Sequence, residues 1–147
     1  MSVKNVTVRE AHQKQSEGYT YVDVRSVPEF NAGHPAGAVN VPLLNRDERS
    51  GQMTPNPEFL DVMRASFQPD AKLLIGCQMG GRSAQAAQIL AGSGFNDVHN
   101  VVGGFGGARD QMTGAVREGW SQAGLPVETD APGRSYDDVK TRAKGNQ

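Results

Sequence analysis

The chain has 147 residues, with 15 lysines and arginines against 16 aspartates and glutamates, for a formal net charge of −1. That length suits one domain with a real core, and the balanced charge gives no electrostatic reason to expect nucleic acid or an anionic membrane surface as a partner. The single cysteine, Cys77, excludes an internal disulfide. No apolar run approaches the ~18–20 residues that cross a bilayer, and the polar start Met1-Ser2-Val3-Lys4-Asn5 has no signal-peptide pattern, so a reducing, cytoplasmic setting is expected.

Val6-Thr7-Val8 reads as a short edge strand, followed by a helical stretch through Glu10, Ala11 and His12 that Gly18 ends. Tyr19 to Val24 is aromatic and β-branched, which predicts a strand. Ser26 ahead of Pro28 and Glu29 has helix-capping character, so a short helix over 28–32 follows. Gly33-His34-Pro35-Ala36-Gly37 is turn chemistry, and Ala38 to Pro42 a short strand stopped by the proline. Residues 45–57 are polar and proline-bearing and read as an exposed loop. Phe59, Leu60, Met63 and Phe67 lie near a 3.6-residue spacing and predict a helix over 57–67. Lys72 to Gly76 reads as a buried strand, Ser83 to Ala91 as a helix, and Val98 to Val102 as the last strand, broken by Gly103-Gly104-Phe105-Gly106-Gly107. From about Glu128 the sequence turns polar and reads as a tail, 129–147, carrying a weak helix from Tyr136 to Ala143. Strands alternating with helices predict an α/β domain over 1–128 with a largely parallel sheet. Such sheets place their sites at the C-terminal ends of strands.

Cys77 stands at such an end, in Leu73-Leu74-Ile75-Gly76-Cys77-Gln78-Met79-Gly80-Gly81-Arg82-Ser83. A free cysteine is mostly thiol at neutral pH, with an ordinary pKa of ~8.5. Here Gly80 and Gly81 allow backbone N–H groups to turn inward toward the sulfur, since neither carries a Cβ. A helix beginning at Ser83 adds its positive dipole end, and Arg82 adds a permanent charge with a fork of donors suited to oxyanions. This setting favours an anionic, nucleophilic sulfur over a structural cysteine.

The segment Cys77-Gln78-Met79-Gly80-Gly81-Arg82-Ser83 resembles the active-site loop of the rhodanese family of sulfurtransferases. Tyr21-Val22-Asp23-Val24-Arg25, with Glu29-Phe30 and Gly33-His34-Pro35-Ala36-Gly37-Ala38-Val39-Asn40-Val41-Pro42, is similar to the family's N-terminal signature. Gly103-Gly104 with Trp120 and Gly124-Leu125-Pro126-Val127 is similar to its C-terminal one. The resemblance implies an open, mainly parallel five-stranded sheet with helices on both faces. It implies a Cys77 persulfide that takes sulfur from a small anionic donor such as thiosulfate and passes it to cyanide or a thiol, thioredoxin and glutathione among them. The loop N–H groups would stabilise the persulfide, and Arg82 would hold the donor's sulfonate. Gln78, Met79, Gly80, Gly81 and Ser83 complete the substrate loop, with no cofactor beyond the covalent persulfide. Six residues run from Cys77 to Arg82. Related phosphatases use a longer loop, because tetrahedral phosphate needs a wider cradle, so the length favours sulfur transfer. A sulfur-carrier or partner-docking module with little turnover of its own is the alternative reading.

Asp23 and Arg25 flank Val24 and share a strand face; they read as a structural ion pair that organises neighbouring loops, with electrostatic influence on Cys77 as the other role. His34 reads as holding its turn by hydrogen bonds, with a proton carrier as the other role. His12 and His99 have no partner at ligand spacing, so no metal site is expected. Trp120 follows Gly104 by sixteen positions, farther than in many single-domain members. The insertion, about 105–118, carries Arg109, Asp110, Met112 and Arg117. It reads equally as a surface loop or as a flap at the site mouth, where Arg109 could recruit an anionic donor. Trp120 itself reads as core.

Overall fold

A computed structural model of the chain describes residues 3–47, 49–109 and 112–145; Met1, Ser2, Glu48, Asp110, Gln111, Asn146 and Gln147 lie outside the described residues. The first strand, β1, is Lys4–Val6, two residues earlier than expected, because Thr7 serves as a helix cap. Its hydroxyl accepts from the Glu10 N–H at 3.1 Å, while Glu10 Oε1 accepts from the Thr7 N–H at 2.9 Å. That reciprocal pair starts α1, Val8–Gln15. Next come β2 (Thr20–Asp23), α2 (Val27–Ala32), β3 (His34–Pro35) and β4 (Val39–Asn40). They are followed by β5 (Leu44–Arg46), β6 (Met53–Pro55), α3 (Phe59–Ser66), β7 (Lys72–Gly76), α4 (Gly81–Gly92) and β8 (Asp97–Val101). The chain continues through β9 (Ala108–Arg109), β10 (Val116–Arg117), β11 (Val127–Glu128) and α5 (Tyr136–Gly145).

Five strands form one sheet in the order β1-β8-β7-β2-β4, and every pairing in it is parallel. Both faces are covered. Successive side chains of a strand point to opposite faces, so Val22, Leu73 and Ile75 join α3, α4 and α5 in one core, while Tyr21 and Leu74 join α1, Phe30 of α2 and Trp120 in the other. The α/β class and the helix-flanked parallel sheet expected from the sequence are those observed. β7 is the central strand, with Asp23 of β2 beside Gly76 on one side and Asn100 of β8 beside Ile75 on the other.

Three expectations are corrected. The stretch 45–57 is not a plain loop: β5 and β6 pair antiparallel across it, and Asp47 steadies the turn by accepting from the Arg49 N–H at 2.8 Å. The polar segment after 128 does carry the helix expected from Tyr136 to Ala143, but that helix is packed, not free. α5 packs against α3, burying Tyr136, Val139 and Ala143 in the main core, and Asn56 donates to the Tyr136 hydroxyl at 3.0 Å. The three apolar residues recur at helical spacing, but charged neighbours mask the stripe. His34-Pro35, expected only as a turn, also pairs as β3 with β11. No helix among the described residues is long and apolar enough to cross a membrane.

Candidate active site

β7 ends at Gly76, and Cys77 follows it directly into the loop that starts α4. The cysteine is 1% exposed. Gly80 adopts a φ of +113° as the residue capping α4, a region that suits a residue without a Cβ. That turn aims the Gly80 N–H at Cys77 Sγ at 3.1 Å, and the Ser83 N–H reaches the same sulfur at 3.3 Å. The Ser83 hydroxyl lies 3.4 Å from Sγ and 2.7 Å from Asn100 Oδ1. The ring of amides expected around the sulfur is thus two N–H groups, from Gly80 and Ser83; the Ser83 hydroxyl beside them donates to Asn100 and accepts from the thiol. Two amides and the N-terminus of a twelve-residue helix converge on one buried sulfur atom, a setting that stabilises negative charge there.

The rest of the loop is gripped from behind. The Phe105 N–H donates to the Cys77 carbonyl at 2.8 Å and the Gly106 N–H to the Gln78 carbonyl at 2.9 Å. Gly104, at φ +58°, lies so close that a Cβ there would sit 2.4 Å from the Cys77 carbonyl oxygen. The second glycine cluster therefore exists to let one backbone pass against another.

Asp23 and Arg25 are both buried and joined by hydrogen bonds of 2.8 to 3.1 Å. Arg25 also donates to the Gly33 carbonyl at 2.7 Å and to Gln78 Oε1 at 3.1 Å, and its guanidinium lies 4.5 Å from the centroid of the Phe105 ring. The pair ties the N-terminal signature to both the Gln78 end of the loop and the glycine segment behind it. His34 is fully buried, stacked on Phe30 at 3.7 Å between centroids, with Nδ1 2.8 Å from the Phe30 carbonyl and Nε2 3.5 Å from Glu128. It braces its turn and lies apart from the sulfur's hydrogen-bonding partners.

Arg82 has a carboxylate partner that its own loop does not supply. Its guanidinium makes a two-pronged ion pair with Glu29, at 2.7 and 3.0 Å. Burial works against the Glu29 charge, but hydrogen bonds from Arg82 and Ser26 and the field of Arg82 outweigh it and hold the carboxyl at about 2. The same hydrogen bond raises the Arg82 pKa above its ordinary value. Met79 stands at the rim, 64% exposed, and Gly81 is exposed at the helix start. Trp120 is core, as expected: it is fully buried, edge-on to Tyr21, and donates to the Pro126 carbonyl at 2.7 Å.

The insertion folds as an antiparallel hairpin of β9 and β10, with Arg109 opposite Val116 and Ala108 opposite Arg117. A cleft of about 220 Å³ beside the loop is lined by Met79, Gly80, Asn100, Gly103, Arg109 and Arg117, among others. Asn100 was not legible as a site residue, Glu29 was seen only within the N-terminal signature, and Arg117 only as part of the insertion. Two signals were available. Ser26-x-x-Glu29 is a capping-box pattern, and Asn100 is polar near the C-terminal end of a strand, where α/β sheets build their sites. No group of three or more metal-ligating side chains gathers among the described residues.

Residues 7–110 match the model of the rhodanese-like domain. The chain is 36% identical over 124 residues to thiosulfate sulfurtransferase 16, chloroplastic, of Arabidopsis thaliana, covering 84% of this chain and 92% of that protein. It is 38% identical over 106 residues to thiosulfate sulfurtransferase 18 of the same plant, covering 70% and 76%. It is also 36% identical to the senescence-associated protein DIN1 of Raphanus sativus over 84% of this chain, but spans only 60% of that protein. Among solved structures, Rv0390 from M. tuberculosis superposes with a TM-score of 0.70 at 25% identity, covering 88% of this chain and all of that one.

Proposed function

The chain belongs to the rhodanese-like domain family, and from that premise we propose that it is a thiosulfate sulfurtransferase working through a persulfide on Cys77. One observation carries the reading: a buried sulfur at the end of the central strand accepts two backbone N–H groups at 3.1 and 3.3 Å. In the first step the Cys77 thiolate attacks the outer sulfur of thiosulfate. A Cys77–sulfur bond forms, the sulfur–sulfur bond of the donor breaks, and sulfite leaves with the bonding pair. In the second step cyanide attacks the outer sulfur of the persulfide, releasing thiocyanate and restoring the thiolate. A thiol acceptor would take the same atom. Neither step needs an external oxidant or reductant.

The Gly80 and Ser83 N–H groups stay in place while charge moves from the inner to the outer sulfur, so they act as preorganised donors of the kind that lowers barriers. A reducing compartment keeps Cys77 free for this cycle. The ion pair that occupies Arg82 favours a second reading, a carrier that receives sulfur from a partner protein with little turnover of small donors. Intact-mass measurement decides between them. Incubation with thiosulfate should add one sulfur to the protein, lost again on adding cyanide with thiocyanate formed, and Cys77→Ser should abolish both. Loading that persists in Cys77→Ser would end the proposal. Failure of small donors alongside loading by a persulfide-bearing protein would favour the carrier.

A further inference from the structure

We propose that the β9–β10 hairpin forms the anion-binding wall of the site, with Arg109 and Arg117 holding the sulfonate end of the donor and the sulfite that leaves. The proposal rests on the sulfur-transfer reading above. It starts from a vacancy in chemical role: Arg82, the loop's own cation, is engaged by both oxygens of Glu29. The hairpin supplies two other guanidiniums. Arg109 and Arg117 are exposed, and among the described residues neither is paired with a carboxylate.

Both arginines line the cleft whose other residues include Gly80 and Asn100. Gly80 is the residue whose N–H reaches Sγ, and Asn100 holds the hydroxyl of Ser83 beside that sulfur. The cleft therefore sets two residues that position the sulfur's cradle, Gly80 and Asn100, beside a pair of cations. A donor carrying a transferable sulfur at one end and three anionic oxygens at the other matches that polarity. Charge on the oxygens grows as sulfite departs with the bonding pair, so the cations favour the transfer as well as the encounter.

The placement follows from the chain's own geometry. The insertion begins and ends at one spot: a Cβ on Gly119 would lie 2.2 Å from the Gly107 nitrogen, and the Trp120 N–H donates to the Gly104 carbonyl at 2.8 Å. Phe105 and Gly106, at its start, bond the backbone of Cys77 and Gln78. The hairpin's root is fixed against the active-site loop.

The test is steady-state kinetics of Arg109→Ala/Arg117→Ala with thiosulfate and cyanide, alongside sulfite product inhibition. The KM for thiosulfate should rise about tenfold, from two partly screened charges, and sulfite inhibition should weaken in parallel. Added salt should raise the wild-type KM and move the variant's far less. The equal-charge control Lys14→Ala/Lys72→Ala removes two cations that flank the Tyr19 ring, away from the cleft, and should leave KM unchanged. A KM and sulfite inhibition unchanged in the hairpin variant would overturn the proposal while leaving the sulfur-transfer reading intact. Equal effects of the hairpin and control variants would also overturn it, since bulk charge would then suffice. Absence of any Cys77 loading in the wild type would remove both readings together.

Discussion

Glu29→Gln separates the ion pair at the loop from the rest of the fold. The Glu29 carboxyl sits at about 2 in the folded chain against an ordinary 4.5. At 1.36 kcal/mol per unit, that difference sets a ceiling of a little over 3 kcal/mol on its contribution to stability. Both side chains keep some contact with water, 20% for Arg82 and 26% for Glu29, and solvent screening reduces the ceiling, so the expected loss is about 1–2 kcal/mol. For a chain of this size that corresponds to a fall of roughly 2–8 °C in melting temperature. The sign with pH is fixed by the direction of the shift. A depressed carboxyl stabilises the folded state fully above the unfolded value of 4.5, and the contribution is lost as pH falls toward about 2. Urea denaturation at pH 7 and through the acid range should therefore show the wild type losing its advantage over Glu29→Gln between those two values. Removing the carboxylate also leaves the Arg82 charge unneutralised beside the loop, so the KM for thiosulfate should fall, not rise. A variant as stable as wild type at neutral pH, with a parallel pH profile, would refute the ion pair as a contributor. A raised KM would refute the electrostatic argument.

Ser83→Ala removes the hydroxyl between Cys77 Sγ and Asn100 Oδ1; with Asn100 buried, denaturation should show a loss of about 1–3 kcal/mol, and single-turnover mass measurement should show slower persulfide formation. Gly104→Ala forces a Cβ against the Cys77 and Gln78 backbone at a positive φ, so thermal melts should show severe destabilisation, and any folded fraction should load sulfur poorly because the loop has shifted. Ending the chain after Arg134 strips Tyr136, Val139 and Ala143 from the main core, which at about 1.5–3 kcal/mol for each large buried side chain should cost roughly 3–5 kcal/mol; a truncated protein melting where the full chain melts would show α5 to be dispensable.

The parallel sheet was readable because its strands are short apolar runs separated by capped helices, and Leu73-Leu74-Ile75 can only be satisfied by burial on both faces. The loop after β7 was readable because glycines and a lone cysteine are rare in that order. The direction of Arg82 was not. A long flexible side chain chooses among partners brought by other elements, and Glu29 arrives from α2, far away in sequence. α5 was underrated for a related reason: its buried stripe is only three residues wide, and its worth depends on α3 offering a surface for it.

The insertion shows where local reading stops and topology takes over. The described residues between Gly107 and Gly119 are mostly exposed, with no apolar period to announce a strand. Their position is nonetheless determined, because the two ends meet and a loop whose ends meet can only project from its root. The root is set by Phe105 and Gly106 bonding the backbone of Cys77 and Gln78, and by Trp120 being buried against Tyr21 in the second core. Lengthening the chain at this point adds groups at the mouth of the site at small cost to the fold. The residues that arrive there carry two arginines, and the loop cation beside them is already bound to a carboxylate.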